Sequence, residues 1–477
     1  MKKHAFNLLA LLLMLSLTAL FSGCAFSDKD FEEEADGDTD HAVDGDGEHK
    51  PLELTTVNAP GNWNPTAART PVDIHITWEH NPADAATLQW QTEEKGEKGY
   101  VPKIWLARAI DIEDADPALY EQDVEMPYTE VLTAEGMGSA YCQKLMCSSS
   151  SMEGWQWTVE ISDLEPDTVY YYRVGTWESF DKESGEFTKA DLSPVYHFRT
   201  GLPKGSQQPF VFGFGSDSQN WKDKTFDRMK EIRVGTGKDA RFWLFGGDLT
   251  EAGSQLELWG WFDALAPILH YNPFMPVRGN HDIIEGALYG EFALPQMPNL
   301  PKEYNEAAWS FNYGNMHVLA FYSNGEGFVK SQLTFIEKDL KAASEDPDID
   351  WIVGVYHHPM YSSASAHGTT DYLVSLVAPL FDKYRVDITF SGHDHDYERT
   401  KPMRNGEIKK DGEGTVYIVS GGFYSKKSYG NGTSDFTAKS VDGESKSYVI
   451  LTVDGKKLSG VAYSGDHSVL DTFELNK

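Results

Sequence analysis

The chain has 477 residues, with 74 Asp and Glu against 41 Lys and Arg and a formal net charge of −33. An acidic chain with no Lys/Arg-rich run lacks the phosphate-neutralising surface that a nucleic-acid polymer requires, which argues against that partner. Hydrophobic residues at 40% and aromatics at 13% exclude wholesale disorder, and the length suffices for two or more packed domains.

Residues 1–23 have the pattern of an export signal. Lys2 and Lys3 supply the positive start, and the apolar run Leu8 to Phe21 ends in Ser22 and Gly23 before Cys24. The run is too short to span a bilayer comfortably. Phe21-Ser22-Gly23-Cys24 resembles a bacterial lipobox, which implies lipidation of Cys24 and a membrane connection through that anchor; the other reading is ordinary secretion. Residues 24–50 are an acidic linker. Asp28 to Glu48 carries eleven acidic residues against the single base Lys29, so self-repulsion and the lack of buryable surface predict a solvated tether. Its Asp-x-Asp runs lack the full spacing of a calcium loop. With Cys24 acylated, Cys142 and Cys147 remain as an even pair in an oxidising compartment and predict a small-loop disulfide. Two free thiols or half of a metal knuckle are the alternatives, although there is no second cysteine pair to complete a zinc site.

Residues 51–202 carry short alternating runs at 72–78, 87–91, 155–159 and 170–174, separated by turn residues, the pattern of antiparallel strands. Leu164 to Val174 resembles the late strands of a fibronectin type III or immunoglobulin-like sandwich, including a corner tyrosine. His75 and His80 have no ligand partners at useful spacing and are read as structural or surface residues.

From residue 208 to the end the grammar changes to α/β layering. Apolar runs at 210–215, 242–245, 352–356 and 388–390 each stop at polar, Gly-containing sequence, and Leu333, Ile336 and Leu340, then Leu373, Leu376, Val377 and Leu380, lie at helical spacing. Runs at 415–419, 448–453 and 457–463 complete a sandwich of two sheets flanked by helices. Ligands of such sheets gather at the carboxyl ends of the strands. Those ends hold Gly215-Ser216-Asp217-Ser218-Gln219, Gly246-Gly247-Asp248, Gly279-Asn280-His281-Asp282, His357-His358-Pro359 and Gly392-His393-Asp394-His395. Carboxylate, amide oxygen and imidazole suit Fe, Zn or Mn, and the absence of thiolate removes the usual mark of a structural zinc site.

With these motifs, and with Tyr397-Glu398-Arg399 and His358-Pro359-Met360-Tyr361, residues 209–400 resemble the calcineurin-like metallophosphoesterase superfamily. The particular likeness is to its purple acid phosphatase branch, which carries a fibronectin-like N-terminal domain. The resemblance implies a two-metal centre in which Asp217 and His395 hold one metal, Asn280, His357 and His393 hold the other, and Asp248 bridges them. It implies attack on phosphorus by a bridging hydroxide, since a shared carboxylate and water screen two cations from each other. It places His281 on the phosphate, with Asp282 orienting it, and His367 on the phosphate or the leaving oxygen. His358 matches a position that binds no metal, and Gly421-Gly422 matches a glycine pair at the pocket rim or is a plain turn. One departure matters: the branch places an iron-binding tyrosine three residues after the bridging aspartate, and Glu251 stands there. Gln219, Glu251 or water then completes the first metal, and zinc or manganese pairs become as plausible as iron.

The resulting expectation is an exported dimetal phosphatase acting on small phosphate monoesters, with phosphodiester or nucleotide hydrolysis as a variant. An inactive surface adhesion or scaffold lipoprotein is the reading from another class. The six filled ligand positions speak for the enzyme, because a relic loses ligands.

Overall fold

The computed structural model describes residues 71–92, 102–112, 137–140, 155–176, 179–180, 187–188, 191–219, 225–282, 291–297, 300, 306–423, 432–441 and 446–477. The expected export signal and acidic linker, Cys24, Cys142 and Cys147 lie outside the described residues.

The N-terminal part is built from β1 (Val72–Thr77), β2 (Ala86–Thr92), β3 (Pro102–Arg108), β4 (Met137–Ala140), β5 (Trp155–Ile161), β6 (Val169–Thr176) and β7 (Tyr196–Arg199). One sheet runs β1-β2-β5-β4 and the other β7-β6-β3, with these strands paired antiparallel throughout. Period-two alternation turns Ile74, Ile76, Leu88, Trp90, Ile104, Leu106, Val159, Tyr172 and Val174 into one apolar layer. The Glu165 backbone N–H donates to the Tyr170 hydroxyl at 2.9 Å, the corner brace the sequence predicts.

The larger part begins with β8 (Phe210–Gly215), α1 (Thr225–Val234), β9 (Ala240–Phe245), α2 (Gln255–Leu269), β10 (Phe274–Pro276), β11 (Trp309–Tyr313), β12 (Met316–Ala320) and α3 (Glu326–Glu345). It continues with β13 (Trp351–Val355), α4 (Asp371–Leu376), α5 (Ala378–Tyr384), β14 (Ile388–Ser391), β15 (Tyr397–Thr400), β16 (Val416–Ser420), β17 (Thr437–Val441), β18 (Ser447–Asp454), β19 (Lys457–Ser464) and β20 (Val469–Asn476). A six-stranded sheet runs β10-β9-β8-β18-β19-β20, and a seven-stranded sheet runs β11-β12-β13-β14-β16-β15-β17. The strands β8, β9 and β10 are parallel, as are β12, β13, β14 and β16. The parallel strands of both sheets are nearly continuous apolar runs because both of their faces are covered, whereas β19 and β20 at the edge alternate between more and less buried residues. Phe212 stacks on Phe242 at 5.2 Å and Phe214 meets Phe390 at 5.0 Å, so the two sheets share one core. Val329, Ile336 and Leu340 of α3, with Leu373 and Phe381, close the outer face of the seven-stranded sheet over Leu319, Ile352 and Tyr356. A reciprocal Ser254/Glu257 capping box starts α2.

The two parts are docked. Trp78 sits in the core of the larger part, edge-on to Phe242 at 5.4 Å and Phe311 at 5.3 Å. His75 is fully buried rather than at the surface, stacked on Phe262 at 4.8 Å. Its two ring nitrogens lie 2.7 Å from the Asp73 and Glu291 carbonyl oxygens.

Candidate metal centre

Each expected ligand stands at the carboxyl end of a parallel strand: Asp217 after β8, Asp248 after β9, Asn280 after β10, His357 after β13, and His393 and His395 after β14. Asp217, Asp248 and His393 take left-handed backbone angles, with φ of 59°, 51° and 68°. Non-glycine residues adopt that region at an energetic cost, which their surroundings enforce here. The carboxylates are held tightly. Ser216 Oγ donates to Asp217 Oδ2 at 2.5 Å, and the His393 backbone N–H donates to Asp217 at 3.0 Å. A Cβ on Gly279 would overlap Asp248 Oδ1, and one on Gly421 would overlap the Asp394 carbonyl oxygen and lie 3.1 Å from Asp217 Oδ2. Gly421 therefore allows close approach to the site and is more than a turn residue.

Asp248, His357 and His393 bring ligand atoms within 4.8 Å of one another. His357 Nδ1–H donates to the Gly246 carbonyl at 2.8 Å, which turns Nε2 toward Asn280 Oδ1 at 3.0 Å and Asp248 Oδ2 at 3.4 Å. A backbone acceptor on one ring nitrogen is the usual way to fix the other as a metal ligand. His395 Nε2 lies 3.4 Å from Asp217 Oδ1, a second donor pair.

The electrostatics are those of a cation site. Burial alone would drive the His357 imidazole toward neutrality, but Asp248 and then Asp217 push it up to about 10. Burial also works to raise the Asp248 carboxyl, yet the His357 charge, its hydrogen bond and His281 hold it below the ordinary carboxylate value. The field that keeps a proton on His357 would equally hold a metal ion. His393 is displaced far downward, first by burial and then by His357, His358, His367 and His395 around it. Buried Asp217, Asp248, His357 and His395, with half-buried Asn280 and His393, supply carboxylate, amide and imidazole without thiolate and fit a pair of such ions.

Asp282 differs from expectation. It does not touch the His281 ring: its Oδ2 accepts from the Asp248 and Gly279 backbone N–H groups, and Oδ1 from that of Leu249, each at 2.8 Å. Burial and then Asp248 push its carboxyl up to about 7 against those hydrogen bonds. His281 Nδ1–H donates instead to the Glu251 backbone carbonyl at 2.6 Å, and the Glu251 side chain is exposed. Gln219 is buried, with Nε2 donating to Asp248 Oδ2 at 3.0 Å. His367 lies at the edge, its ring 4.1 Å from that of His393 and Nδ1 3.1 Å from Asp394 Oδ1. His358 is largely buried beside His393 at 4.3 Å, held near neutrality by burial and then by His357.

Sequence reasoning missed Ser323 and Asn324. Ser323 Oγ accepts from the His357 and His358 backbone N–H groups at 3.2 and 3.0 Å, and Asn324 Nδ2 donates to the Gly279 carbonyl at 2.8 Å. They follow β12, so the strand-end rule applied to Met316–Ala320 would have found them. Glu398 was noted only as part of a motif. Its carboxylate accepts from Ser363 N at 2.7 Å and Thr437 Oγ1 at 2.6 Å, tying down the segment that carries His367.

Residues 71–200 match the family described as Purple acid Phosphatase, N-terminal domain, and residues 212–397 match Calcineurin-like phosphoesterase. The chain belongs to the purple acid phosphatase-like calcineurin-like phosphoesterases. Among curated relatives it is 28% identical over 273 residues to purple acid phosphatase 18 of Arabidopsis thaliana, covering 55% of this chain and 56% of that one. It is 29% identical over 278 residues to purple acid phosphatase 21 of the same plant, covering 55% and 57%. The chain thus spans little more than half the length of these relatives. The purple acid phosphatase PPD1 from yellow lupin (Lupinus luteus) seeds superposes with a TM-score of 0.68 at 18% identity, covering 86% of this chain and 74% of that one, a likeness of fold. The layered α/β sandwich behind an all-β domain is accordingly the purple acid phosphatase fold.

Proposed function

We propose that the protein is an exported, metal-dependent phosphatase that hydrolyses small phosphate monoesters. The observation that carries this reading is the convergence of Asp217, Asp248, Asn280, His357, His393 and His395 at the strand ends, with His281 and His367 beside them. Asp217 and His395 would hold one metal, Asn280, His357 and His393 the other, and Asp248 would be shared. When bound, such a pair supplies Lewis acidity and an acidified water as nucleophile. As an imidazolium, His281 would donate Nδ1–H to the Glu251 carbonyl and Nε2–H to a phosphoryl oxygen, stabilising the charge that develops in the transition state. His367 would protonate the leaving oxygen.

The net charge of −33 disfavours capture of polyanions, so a small substrate fits better than a polymer. Export rests on the Lys2-Lys3 start and the apolar run before Cys24, with lipidation of Cys24 as the membrane anchor. No helix among the described residues is long and apolar enough to cross a membrane. The test is metal content and turnover of an aryl phosphate monoester and an aryl diester by the purified protein, beside Asp248→Asn. We expect two metals per chain, monoester preference, and loss of turnover in a variant that stays folded. Equal turnover in both proteins overturns the mechanism, and a diester preference moves the substrate class.

A further inference from the structure

We propose that the side-chain carbonyl of Gln219 is itself a metal ligand, completing the Asp217/His395 position with a neutral oxygen donor and suiting the centre to two divalent ions. The inference rests on the dimetal reading above. Gln219 lies two residues beyond Asp217 in the segment after β8 and is 7% exposed. Its Nε2 is spent on Asp248 Oδ2 at 3.0 Å, which fixes the amide beside the shared carboxylate. Its Oε1 is buried without a hydrogen-bond partner. A buried carbonyl left unsatisfied is costly, and one at a cation site has a natural occupant. Glu251, the other candidate, reaches the site through its backbone carbonyl while its side chain is exposed.

Donor arithmetic points the same way. The Asn280/His357/His393 position has four protein donors with Asp248, whereas the Asp217/His395 position has three until Gln219 is counted. Of the seven side chains Asp217 and Asp248 alone are anionic, the others being amides and neutral imidazoles. Two divalent ions then leave an excess of two positive charges, which a phosphate monoester dianion neutralises; a trivalent ion would leave three. Oxygen and imidazole donors without an additional anion suit Zn and Mn.

The test titrates zinc and, separately, manganese by calorimetry into chelator-stripped full-length protein, with Gln219→Leu and Gln219→His alongside. In Gln219→Leu we expect one site of wild-type affinity and one weakened about ten- to a hundredfold, as loss of a supporting group does at other metal sites. Gln219→His should bind two ions, because imidazole restores a donor. Two wild-type affinities in Gln219→Leu overturn the proposal. If that variant does not fold, cobalt-loaded wild type and Gln219→His decide: altered d–d absorption supports ligation, and identical spectra overturn it. A wild type that binds no second ion instead sinks the dimetal reading on which the proposal stands.

Discussion

Asp282 shows how one carboxylate can act on a metal site without touching it. Its two oxygens take the backbone N–H groups of Asp248, Leu249 and Gly279, the loops that carry the shared carboxylate and Asn280. Asp248 itself sits at φ 51°, a conformation that persists only where neighbours over-determine it. Asp282→Ala would leave three buried N–H groups without acceptors, each worth about 1–3 kcal/mol, so we expect a loss of about 3–5 kcal/mol in stability. We also expect metal affinity to weaken about ten- to a hundredfold. His281→Ala should behave oppositely. That side chain hydrogen-bonds only one exposed carbonyl among the described residues, so metal content and melting should stay near wild type while kcat falls about a hundredfold or more. Denaturant melts and metal analysis of the two variants separate the roles. If Asp282→Ala kept its metals and stability and lost only kcat, it would be an orienting residue after all.

At the scale of elements, the sequence is legible where a single strand or turn contains the whole signal. Asp217, Asp248, His357, His393 and His395 closely follow apolar runs and Asn280 sits in the Gly279-Asn280-His281-Asp282 motif, so local reading finds them. Ser323 and Asn324 also follow a strand, β12, but their partners are backbone groups 34 and 45 residues away, so the strand-end position marks their place and not their role. The spacing of Leu373, Leu376, Val377 and Leu380 predicts one helix, but α4 ends at Leu376 and α5 begins at Ala378, with Pro379 in its first turn. A proline lacks the N–H that would continue the preceding turn, so the chain restarts there. His75 is a third case. It alternates into the sheet face like any strand residue, and only the docked partner makes that face an interior. The consequence is a pH dependence with a definite sign. Burial pulls His75 from 6.5 down to about 4, outweighing its hydrogen bonds to Asp73, Glu291 and Gln89. The unfolded chain therefore binds the proton more readily. The stability contribution is fully present above pH 6.5 and is lost as pH falls toward 4, by about 3 kcal/mol at the low end. His270, pulled to about 3 by burial and then by His75, adds to the same limb. His75→Gln should flatten the fall in unfolding free energy of metal-free protein between pH 6.5 and 4.5. An unchanged slope would place the acid sensitivity elsewhere.

At the scale of the molecule, the site joins the two sheets at the rim of the core they share. Asp217, Asp248 and Asn280 come from the six-stranded sheet, and His357, His393 and His395 from the seven-stranded sheet. Metal ions bound between them would cross-link the two sheets at one edge of the shared core. The N-terminal part is tied to the same body by Trp78 in that core and by Gln91, whose Nε2 donates to Glu291 Oε2 at 2.6 Å and whose Oε1 accepts from Trp259 Nε1 at 2.8 Å. Apolar and buried polar contacts of this kind couple unfolding, so both parts should melt in one transition. A ligand that binds only the native state adds about 2.7 kcal/mol at a hundredfold excess over Kd, and at about 2 cal/mol/K per residue a body of roughly 400 residues shifts its melting by about 1 °C per kcal/mol. Two occupied sites should therefore raise the midpoint by about 5 °C or more over chelated protein. Asp248→Asn weakens both positions through the one carboxylate they share, so metal should raise its midpoint by much less. Calcium should not replace zinc or manganese, since imidazole makes up half of the six-residue donor set and calcium takes oxygen. Calorimetric scans with EDTA, zinc, manganese and calcium measure all of this. A midpoint indifferent to EDTA would mean that the sheets are not cross-linked by metal. Two separated transitions, with only the later one sensitive to metal, would mean that the Trp78 and Gln91 contacts do not couple the N-terminal part to the site.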